Sequence, residues 1–332
     1  MTKLLVGLII LAGLCFPFFV GGYYLKLTLL ALLYAYLSSS WNIIGGYGGQ
    51  MSFAHGIFFG IGAYTVALFS VYQVAPLVFA IPVGIVIVAC VSFVVARVCF
   101  GYELSGIHFA VGTILLAEIA RIMAINSSFL GRSQGLQIHV EASIWNLQFE
   151  SYLPFYYIVF AMTVAIAAGT YWLQRSRLGF RLISLREQEQ SAKALGINTT
   201  RTKQVAFVIS AVLTAAGGAM HALVVGFVEP DFNLGLLLAL TIVMGAVLGG
   251  RGTVLGPILG GILVQAVQEL LVVAGGIVGT TSVSALAQVV YGLFFVFIIL
   301  GFPRGIVGTL QRQHFDRQAV LGEPGKITPA SL

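Results

Sequence analysis

The feature that most constrains the fold of this chain is a succession of long apolar segments along almost its whole length. Of its 332 residues, 59% are hydrophobic and only 8% are charged, whereas a soluble globular chain carries about 25% charged residues. An α-helix needs about 20 consecutive apolar residues to cross a bilayer. The sequence therefore predicts an all-α polytopic membrane protein that lies in a lipid bilayer and has no soluble domain.

Ten of the apolar segments reach or approach membrane-spanning length. They are residues 1–20, 27–44, 53–71, 76–98, 104–124, 153–173, 205–228, 234–248, 254–275 and 284–301. We therefore expect about ten transmembrane helices, which form one transmembrane domain over residues 1–303, followed by a cytoplasmic tail over residues 304–332. Small-xxx-small spacings such as Gly245/Gly249 predict that some of these helices pack with their backbones close together.

One long charged segment, residues 174–204, interrupts the apolar pattern. It contains Glu187 and Glu189 and a larger set of basic residues, which are Arg175, Arg177, Arg181, Arg186, Lys193, Arg201 and Lys203. Basic residues close to span ends resist translocation, so this loop is predicted to be cytoplasmic. Counting ten spans outward from it places both termini in the cytoplasm and the acidic turn at 229–231 on the external side.

A short helix is predicted inside this loop, over residues 185–195. Ser184 is a candidate N-cap that forms a capping box with Glu187, and Gly196 suits the left-handed position that ends many helices. One face of this helix is small and nearly uncharged, and it consists of Gln188, Ala192 and Leu195. Such a face can dock into a groove of a partner protein, but on spacing alone a solvated connector between two spans is the favoured alternative.

A cluster of glycines interrupts the second apolar segment at 45–49. Glycine is unfavourable in a helix interior by about 1 kcal/mol relative to alanine, so this cluster predicts a broken helix near 45–52. Irregular backbone at membrane depth occurs where it is buried in protein or lines a watery cavity. Polar residues flank the break, namely Asn42, Gln50, Ser52 and His55. The broken region is predicted either to border a translocation pathway or to serve as a structural hinge.

Ionisable residues within the predicted spans are few, and such residues are candidates for function. Glu118 and Arg121 stand three residues apart and can pair on one helix. His108 and His221 have no partners at metal-ligand spacing, so we predict no metal site. The chain has no phosphate-binding loop, so we expect no nucleotide cofactor and no enzymatic activity. The net charge of +6 reflects membrane topology and requires no nucleic acid partner.

Three sequence blocks together resemble the branched-chain amino-acid ABC permease family. They read NIIGGYGGQMSFAHG at 42–56, REQEQSAKALGI at 186–197 with Lys203, Phe207 and Ser210 following, and GGRGTVLGP at 249–257. Their order along the chain is that of the family, and the LivM-type subunit fits best. The segment at 130–133 and His108 depart from the family pattern. They leave the substrate open among branched-chain amino acids, urea, short amides and other amino acids.

The resemblance implies a permease subunit of an ATP-driven importer in the bacterial inner membrane, with no cofactor of its own. Its implied partners are a second homologous permease subunit, two cytoplasmic ATPase subunits and a periplasmic substrate-binding protein. The helix in the basic loop would then be the coupling helix that contacts the ATPase. A secondary transporter or channel that works without an ATPase is the alternative, and it needs an ion-coupling carboxylate such as Glu118 or Glu269.

Two sets of site residues follow. The residues expected to couple the chain to the ATPase are Arg186, Glu187, Gln188, Glu189, Ala192, Leu195 and Gly196. The candidates for the translocation path are Asn42, Tyr47, Gly48, Gly49, Gln50, Ser52, His55, His108, Thr113 and Glu118.

Overall fold

The computed structural model describes residues 11–138, 143, 145–278, 292–293 and 305. Over these residues the chain is almost entirely helical, with one two-stranded antiparallel sheet formed by β1 (Leu136–Gln137) and β2 (Phe227–Val228). The helices are α1 (Gly22–Asn42), α2 (His55–Val71), α3 (Leu77–Gly101), α4 (Gly106–Asn126), α5 (Tyr152–Gln174), α6 (Arg177–Glu187), α7 (Glu189–Ala194), α8 (Thr199–Val225), α9 (Pro230–Asn233), α10 (Leu236–Gly249) and α11 (Leu255–Val278).

Six helical stretches of the described residues are long and apolar enough to cross a membrane. They are Gly22–Tyr47, Leu77–Gly101, Gly106–Asn126, Tyr152–Gln174, Thr199–Val225 and Pro230–Gly249, and two shorter apolar helices, His55–Val71 and Leu255–Leu271, accompany them. A multi-pass helical protein is thus confirmed, but the expected number of about ten spans is not.

Four predicted spans account for the difference: segments 53–71 and 254–275 correspond to the two shorter apolar helices, and the first and last segments are described only in part. Segment 284–301 falls almost entirely outside the described residues, and segment 1–20 is described only from residue 11. In that part a 3₁₀ helix, Phe16–Phe19, contains Pro17 in its first turn. Proline has no backbone N–H and cannot continue an α-helix from the preceding turn.

The basic loop lies at one end of the helix bundle, which we call the basic end, and two other turns lie beside it. Lys193 reaches Glu103 in the turn between α3 and α4, and Gln174 reaches Gly252 in the turn between α10 and α11. From this end α8 runs for 27 residues, or roughly 40 Å at 1.5 Å per residue, to the opposite end, which we call the far end.

An ion-pair cluster joins two elements at the far end. Arg121, in the second half of α4, pairs with Glu118 on its own helix and with Asp231 in α9. The pairing of Glu118 with Arg121, predicted from their spacing, is confirmed. Asp231 extends the pair into a link between α4 and the turn that follows α8.

Glycines allow several helices to pack backbone against backbone, as the small-residue spacings predict. A Cβ atom at Gly249 of α10 would collide with the carbonyl oxygen of Gly256 in α11, and one at Gly261 would lie 2.6 Å from the Cα atom of Ala35 in α1. These contacts join α1, α10 and α11 into one layer, and similar contacts join α2 to α8.

An aromatic cluster fills the interior near the basic end. The ring of Phe207 in α8 lies 5.4 to 6.0 Å, centroid to centroid, from the rings of Phe58 in α2, Phe100 in α3 and Phe109 in α4. All of these rings are buried. The cluster packs α8 against its neighbours about two turns after α8 begins at the end of the basic loop.

Candidate functional site

The basic loop folds as two helices, and the single helix predicted over 185–195 is wrong. α6 begins after Ser176, whose Oγ accepts a hydrogen bond from the Gly179 amide at 3.1 Å, as an N-cap does. Ser184, the predicted N-cap, lies inside α6 and donates its hydroxyl proton to the Phe180 carbonyl at 2.9 Å. The Ser-x-x-Glu pattern misleads here because the earlier cap at Ser176 has already started the helix.

The two helices separate at Gln188, whose backbone is extended with φ −158° and ψ 101°. α7 then ends at the predicted glycine, because Gly196 has φ +80°. Its amide donates to the Lys193 carbonyl at 3.0 Å, and the Ile197 amide donates to the Ala192 carbonyl at 3.1 Å. This pair of bonds is the Schellman motif, which needs a left-handed residue at the position of Gly196.

Two ion pairs attach α7 to the rest of the bundle. Lys203 of α8 is buried, with its side chain 5% exposed, and its Nζ atom lies 2.7 Å from both carboxylate oxygens of Glu189. Lys193 Nζ lies 2.8 Å from Oε1 of Glu103. The hydrogen bond from Lys193 lowers the pKa of Glu103, and the same bond raises the pKa of Lys193. α7 is therefore held at its first and at its last turn.

The small docking face predicted on this segment is also wrong. Ala192 is 2% exposed because it packs against the chain's own bundle, and Gln188 lies at the break between helices. Leu195 is 81% exposed. We call the exposed residues of this segment the loop surface, and they are Arg186, Glu187, Gln188, Gln190, Ser191, Lys193, Ala194, Leu195 and Gly196.

Arg186 joins the basic loop to the end of α1. Its Nη1 atom donates to the Gly46 carbonyl at 3.1 Å, while its Nε and Nη2 atoms donate to Oε1 of Glu187 at 3.3 and 2.9 Å. Gly49 passes close to Arg186, since a Cβ atom there would lie 2.9 Å from its Cγ atom. Gly49 also has φ +68°, which L-residues with side chains rarely adopt.

Asn42 connects α1 to the turn between α10 and α11. Its Oδ1 accepts from the Gly252 amide at 2.8 Å, and its Nδ2 donates to the Thr253 carbonyl at 2.9 Å. Gln174, the last residue of α5, donates to the Tyr47 hydroxyl at 2.8 Å and to the Gly252 carbonyl at 3.3 Å. The two glycine-rich motifs therefore meet at the basic end. We call the residues that connect them the junction, and they are Asn42, Gly46, Tyr47, Gln174, Arg186 and Gly252.

The helix break lies slightly later than its predicted position near 45–52. A π-helical turn, Ile43–Tyr47, first extends α1, so Gly45 and Gly46 are still helical. Irregular backbone follows from Gly48 until α2 begins at His55. A π-helical turn accommodates one residue more than an α-helical turn and is frequent at functional sites.

Side chains from two helices hold this irregular segment in place. Trp41 Nε1 donates to the Ser52 carbonyl at 2.7 Å, and Oγ1 of Thr113 in α4 accepts from the Phe53 amide at 3.0 Å. Non-helical backbone at membrane depth requires such partners, because lipid offers none. Ser52 and Thr113, both path candidates, thus have a structural part in the break.

His55 is fully buried at the start of α2. Its Nε2 atom lies 2.7 Å from Oγ of Ser210 in α8, and Ser210 donates its own proton to the Ser40 carbonyl at 2.7 Å. Because the serine proton is used in that bond, Nε2 of His55 must carry the proton that joins it to Ser210. This chain of bonds connects α1, α2 and α8 just beyond the break.

The remaining path candidates lie in different places. Gln50 is buried beside the break, and its Oε1 has no hydrogen-bond partner among the described residues. His108 is exposed on the first turn of α4, and Glu118 lies in the ion-pair cluster near the far end. The structure brings together the candidates between Asn42 and His55 with Thr113, and leaves His108 and Glu118 outside that hydrogen-bonded set.

The sequence did not identify Gln174, Lys203 or Ser210 as site residues. Lys203 and Ser210 stand just after the second sequence block, and that position was a usable signal. No local sequence signal marked Gln174, because its partners Tyr47 and Gly252 lie 127 and 78 positions away from it in sequence.

These features define a class: a multi-pass helical membrane protein whose charged loop is hydrogen-bonded to a broken helix. The sequence pattern of the family described as "Branched-chain amino acid transport system / permease component" matches residues 23–299. The chain belongs to this family, and it is a transport subunit and not an enzyme.

Similar proteins include permeases named for branched-chain amino acid transport and one named for autoinducer 2 import. The chain is 28% identical over 291 residues to the high-affinity branched-chain amino acid transport system permease protein LivM of Escherichia coli (strain K12), covering 80% of this chain and 68% of that protein. It is 24% identical over 299 residues to LivH of the same organism, covering 83% and 91%. It is 30% identical over 123 residues to the autoinducer 2 import system permease protein LsrC of Klebsiella pneumoniae subsp. pneumoniae, covering 36% and 35%. No solved structure matches the chain.

Proposed function

We propose that this chain is the membrane permease subunit of an ATP-driven importer and forms part of the path for branched-chain amino acids or related small amides and amino acids. Its partners are a second, homologous permease subunit, two cytoplasmic ATPase subunits and a periplasmic binding protein in a bacterial inner membrane. The observation that carries the proposal is the junction, because it links the exposed loop surface directly to the broken helix.

The loop surface is the part of the chain that contacts the ATPase. Its apolar centre is Leu195, which is 81% exposed on a segment where the neighbouring exposed residues are mostly polar. An exposed apolar side chain within a polar surround is typical of the centre of a protein interface. Glu187 and Lys193 supply charges of both signs around it, which favours docking in one orientation.

Two connections carry a displacement of the loop surface into the bundle. The ion pair of Glu189 with the buried Lys203 moves α7 together with α8. The bond from Arg186 to the Gly46 carbonyl moves α6 together with the π-helical turn of α1. Because both connections are short and involve charged groups, little of the displacement is lost in side-chain rearrangement.

We place the translocation path beside the break, where Gly48 and Gly49 leave backbone that is not helical. Oε1 of Gln50 and Nδ1 of His55 are buried there without hydrogen-bond partners among the described residues. Buried polar atoms without partners destabilise a folded state unless water or a solute satisfies them. A path for a small polar solute supplies such partners, and His108, Thr113 and Glu118 remain candidates along it.

Reconstitution into liposomes tests this function. The permease pair, the ATPase subunits and the binding protein are combined with radiolabelled leucine outside the vesicles and ATP inside. We expect uptake that requires ATP and every subunit, and that unlabelled isoleucine and valine inhibit. Urea, acetamide and autoinducer 2 serve as competing solutes that report a different substrate. Uptake driven by an ion gradient without any ATPase would contradict the proposal and favour a secondary transporter.

A further inference from the structure

A cavity of about 780 Å³ lies between α1, α5 and α8 and extends to the start of α6 at the basic end. Its volume falls in the range of about 300 to 1,000 Å³ that is usual for ligand sites. Met162, Gly169 and Leu213 are among the residues of its long apolar wall, and Ser176 and Arg177 line its basic end. We call it the lateral groove.

The wall of the lateral groove offers almost no polar group to a ligand. The hydroxyls of Tyr36, Thr170 and Ser176 donate to backbone carbonyl oxygens at 2.9, 2.8 and 2.8 Å. The other residues of the wall, apart from Arg177 and the indole N–H of Trp172, have apolar side chains or none. A ligand that fills the groove must therefore be hydrocarbon along most of its length.

The basic end of the lateral groove has the opposite character. Arg177 is exposed there and forms no ion pair with any described residue. Arg175 lies with its guanidinium 4.2 Å from the centre of the Tyr171 ring and likewise has no carboxylate partner in the described part of the chain. Arg181 follows one turn further along α6 and is also exposed. The rim of the groove therefore carries Arg177, with Arg175 and Arg181 two and four positions away in sequence, and none of the three pairs with a carboxylate of the described residues.

Aromatic residues place this rim at the surface of the bilayer. Trp172 is 76% exposed and Tyr171 is 49% exposed, and both precede the basic cluster directly. Exposed tryptophan and tyrosine at a span end mark the level of the lipid headgroups. The rim arginines therefore lie at headgroup depth, and the apolar wall lies at the depth of the acyl chains.

We propose that the lateral groove binds an anionic phospholipid, with an acyl chain along α5 and the headgroup phosphate against Arg177 and Arg175. The apolar wall, the unpaired guanidinium groups and their depth all match the two parts of such a molecule. This site is independent of the transported substrate. It gives the basic loop a second attachment, through the lipid, at the point where α5 passes into α6.

Retention of lipid by the purified protein tests the proposal. The full-length chain is extracted in mild detergent with its partner subunits, incubated with an equimolar mixture of phosphatidylglycerol and phosphatidylcholine, and examined by native mass spectrometry. We expect preferential retention of phosphatidylglycerol. Arg177→Gln should lower it about fivefold, since one arginine near an anionic surface contributes on that order. Equal retention of both lipids, or unchanged retention by Arg177→Gln, would overturn the proposal.

A second variant tests the apolar part of the site separately. A Cβ atom at Gly169 meets no other atom within 4 Å, so Gly169→Phe fills the groove without disturbing the helix, and it should also abolish the preference for phosphatidylglycerol. The matched controls are Arg201→Gln, another exposed arginine of the basic loop, and Gly112→Phe, which also has open space around its Cβ position but lies on α4. Both should retain lipid as the unaltered protein does.

Crosslinking identifies the occupant directly. A photoreactive group attached to a cysteine at Ala165, a residue of the groove wall, should crosslink to lipid in native membranes. A crosslink to the second permease subunit, or to another part of this chain, would show that protein fills the groove and would overturn the proposal.

Discussion

Arg186 and Gly46 stand 140 residues apart in sequence, yet Nη1 of Arg186 lies 3.1 Å from the carbonyl oxygen of Gly46. The arginine belongs to the loop surface, and the glycine belongs to the π-helical turn that precedes the break in α1. A hydrogen bond from a charged donor is stronger than one between neutral groups. The contact therefore joins the segment proposed to meet the ATPase to the segment proposed to border the path.

Removal of this bond should uncouple transport from ATP hydrolysis. We expect Arg186→Ala to lower the amount of solute imported per ATP hydrolysed about tenfold, because a bond to a charged group contributes about 1.5 kcal/mol or more. Arg186→Lys should retain part of the import per ATP hydrolysed, since lysine keeps the positive charge of arginine but not the shape of its donor group. Arg201→Ala, at another exposed arginine of the basic loop, is the control. An unchanged ratio in Arg186→Ala would show that the bond carries no coupling.

Leu195 should be central to ATPase binding. A buried, unpaired charge is strongly unfavourable, so Leu195→Asp should weaken capture of the ATPase by the tagged permease about tenfold or more. The level of permease in the membrane should not change, because this side chain is exposed. Ser133→Asp, at an exposed position near the far end, is the control. Wild-type capture by Leu195→Asp would place the ATPase contact elsewhere.

The two ion pairs of α7 should differ in their contribution to stability. Lys203→Met leaves the Glu189 carboxylate without its buried partner, and the free energy of unfolding should fall by about 3 kcal/mol. Lys193→Met breaks the exposed pair with Glu103 and should have little effect, because exposed pairs are weak. The two variants are compared by thermal unfolding in detergent, with tryptophan fluorescence as the readout. Equal shifts in Tm for the two variants would contradict this difference.

The orientation of the basic end can be measured by cysteine labelling. In a variant without Cys15, Cys90 and Cys99, a cysteine is introduced at Gln190 or at Ser133, both exposed. A membrane-impermeant maleimide should label Ser133→Cys in intact spheroplasts and should label Gln190→Cys only after the membrane is opened, because the basic loop is predicted to be cytoplasmic. The reverse pattern would invert the orientation of the whole chain.

Local composition was sufficient to predict several of the membrane-spanning helices and the end of α7. Span 76–98 corresponds closely to α3, because a continuous apolar run in lipid has no alternative to a helix. Gly196 ends α7 for a local reason, its left-handed backbone. Both predictions depend on a few consecutive residues and need no knowledge of distant contacts.

Contacts between distant residues explain what the sequence could not predict. The break at Gln188 places Glu189 within reach of Lys203, and a carboxylate that pairs with a buried lysine cannot be identified from helix propensity. The burial of Ala192 follows from the same attachment of α7 to the bundle. The junction likewise joins residues that are far apart in sequence, so the glycine clusters could predict a break but not what the break contacts.

The glycine contacts of α1, α10 and α11 determine where the bundle can change shape. Where Gly249 meets the Gly256 backbone and Gly261 meets Ala35, no side chains lie between the helices, and none can change rotamer to accommodate sliding. These helices must move together as a rigid block. The half of α5 nearest the basic end faces α1 and α8 across the lateral groove, so its displacement requires no such interlocked surfaces to separate. We therefore expect α5 to swing against a stationary block when the transporter changes state.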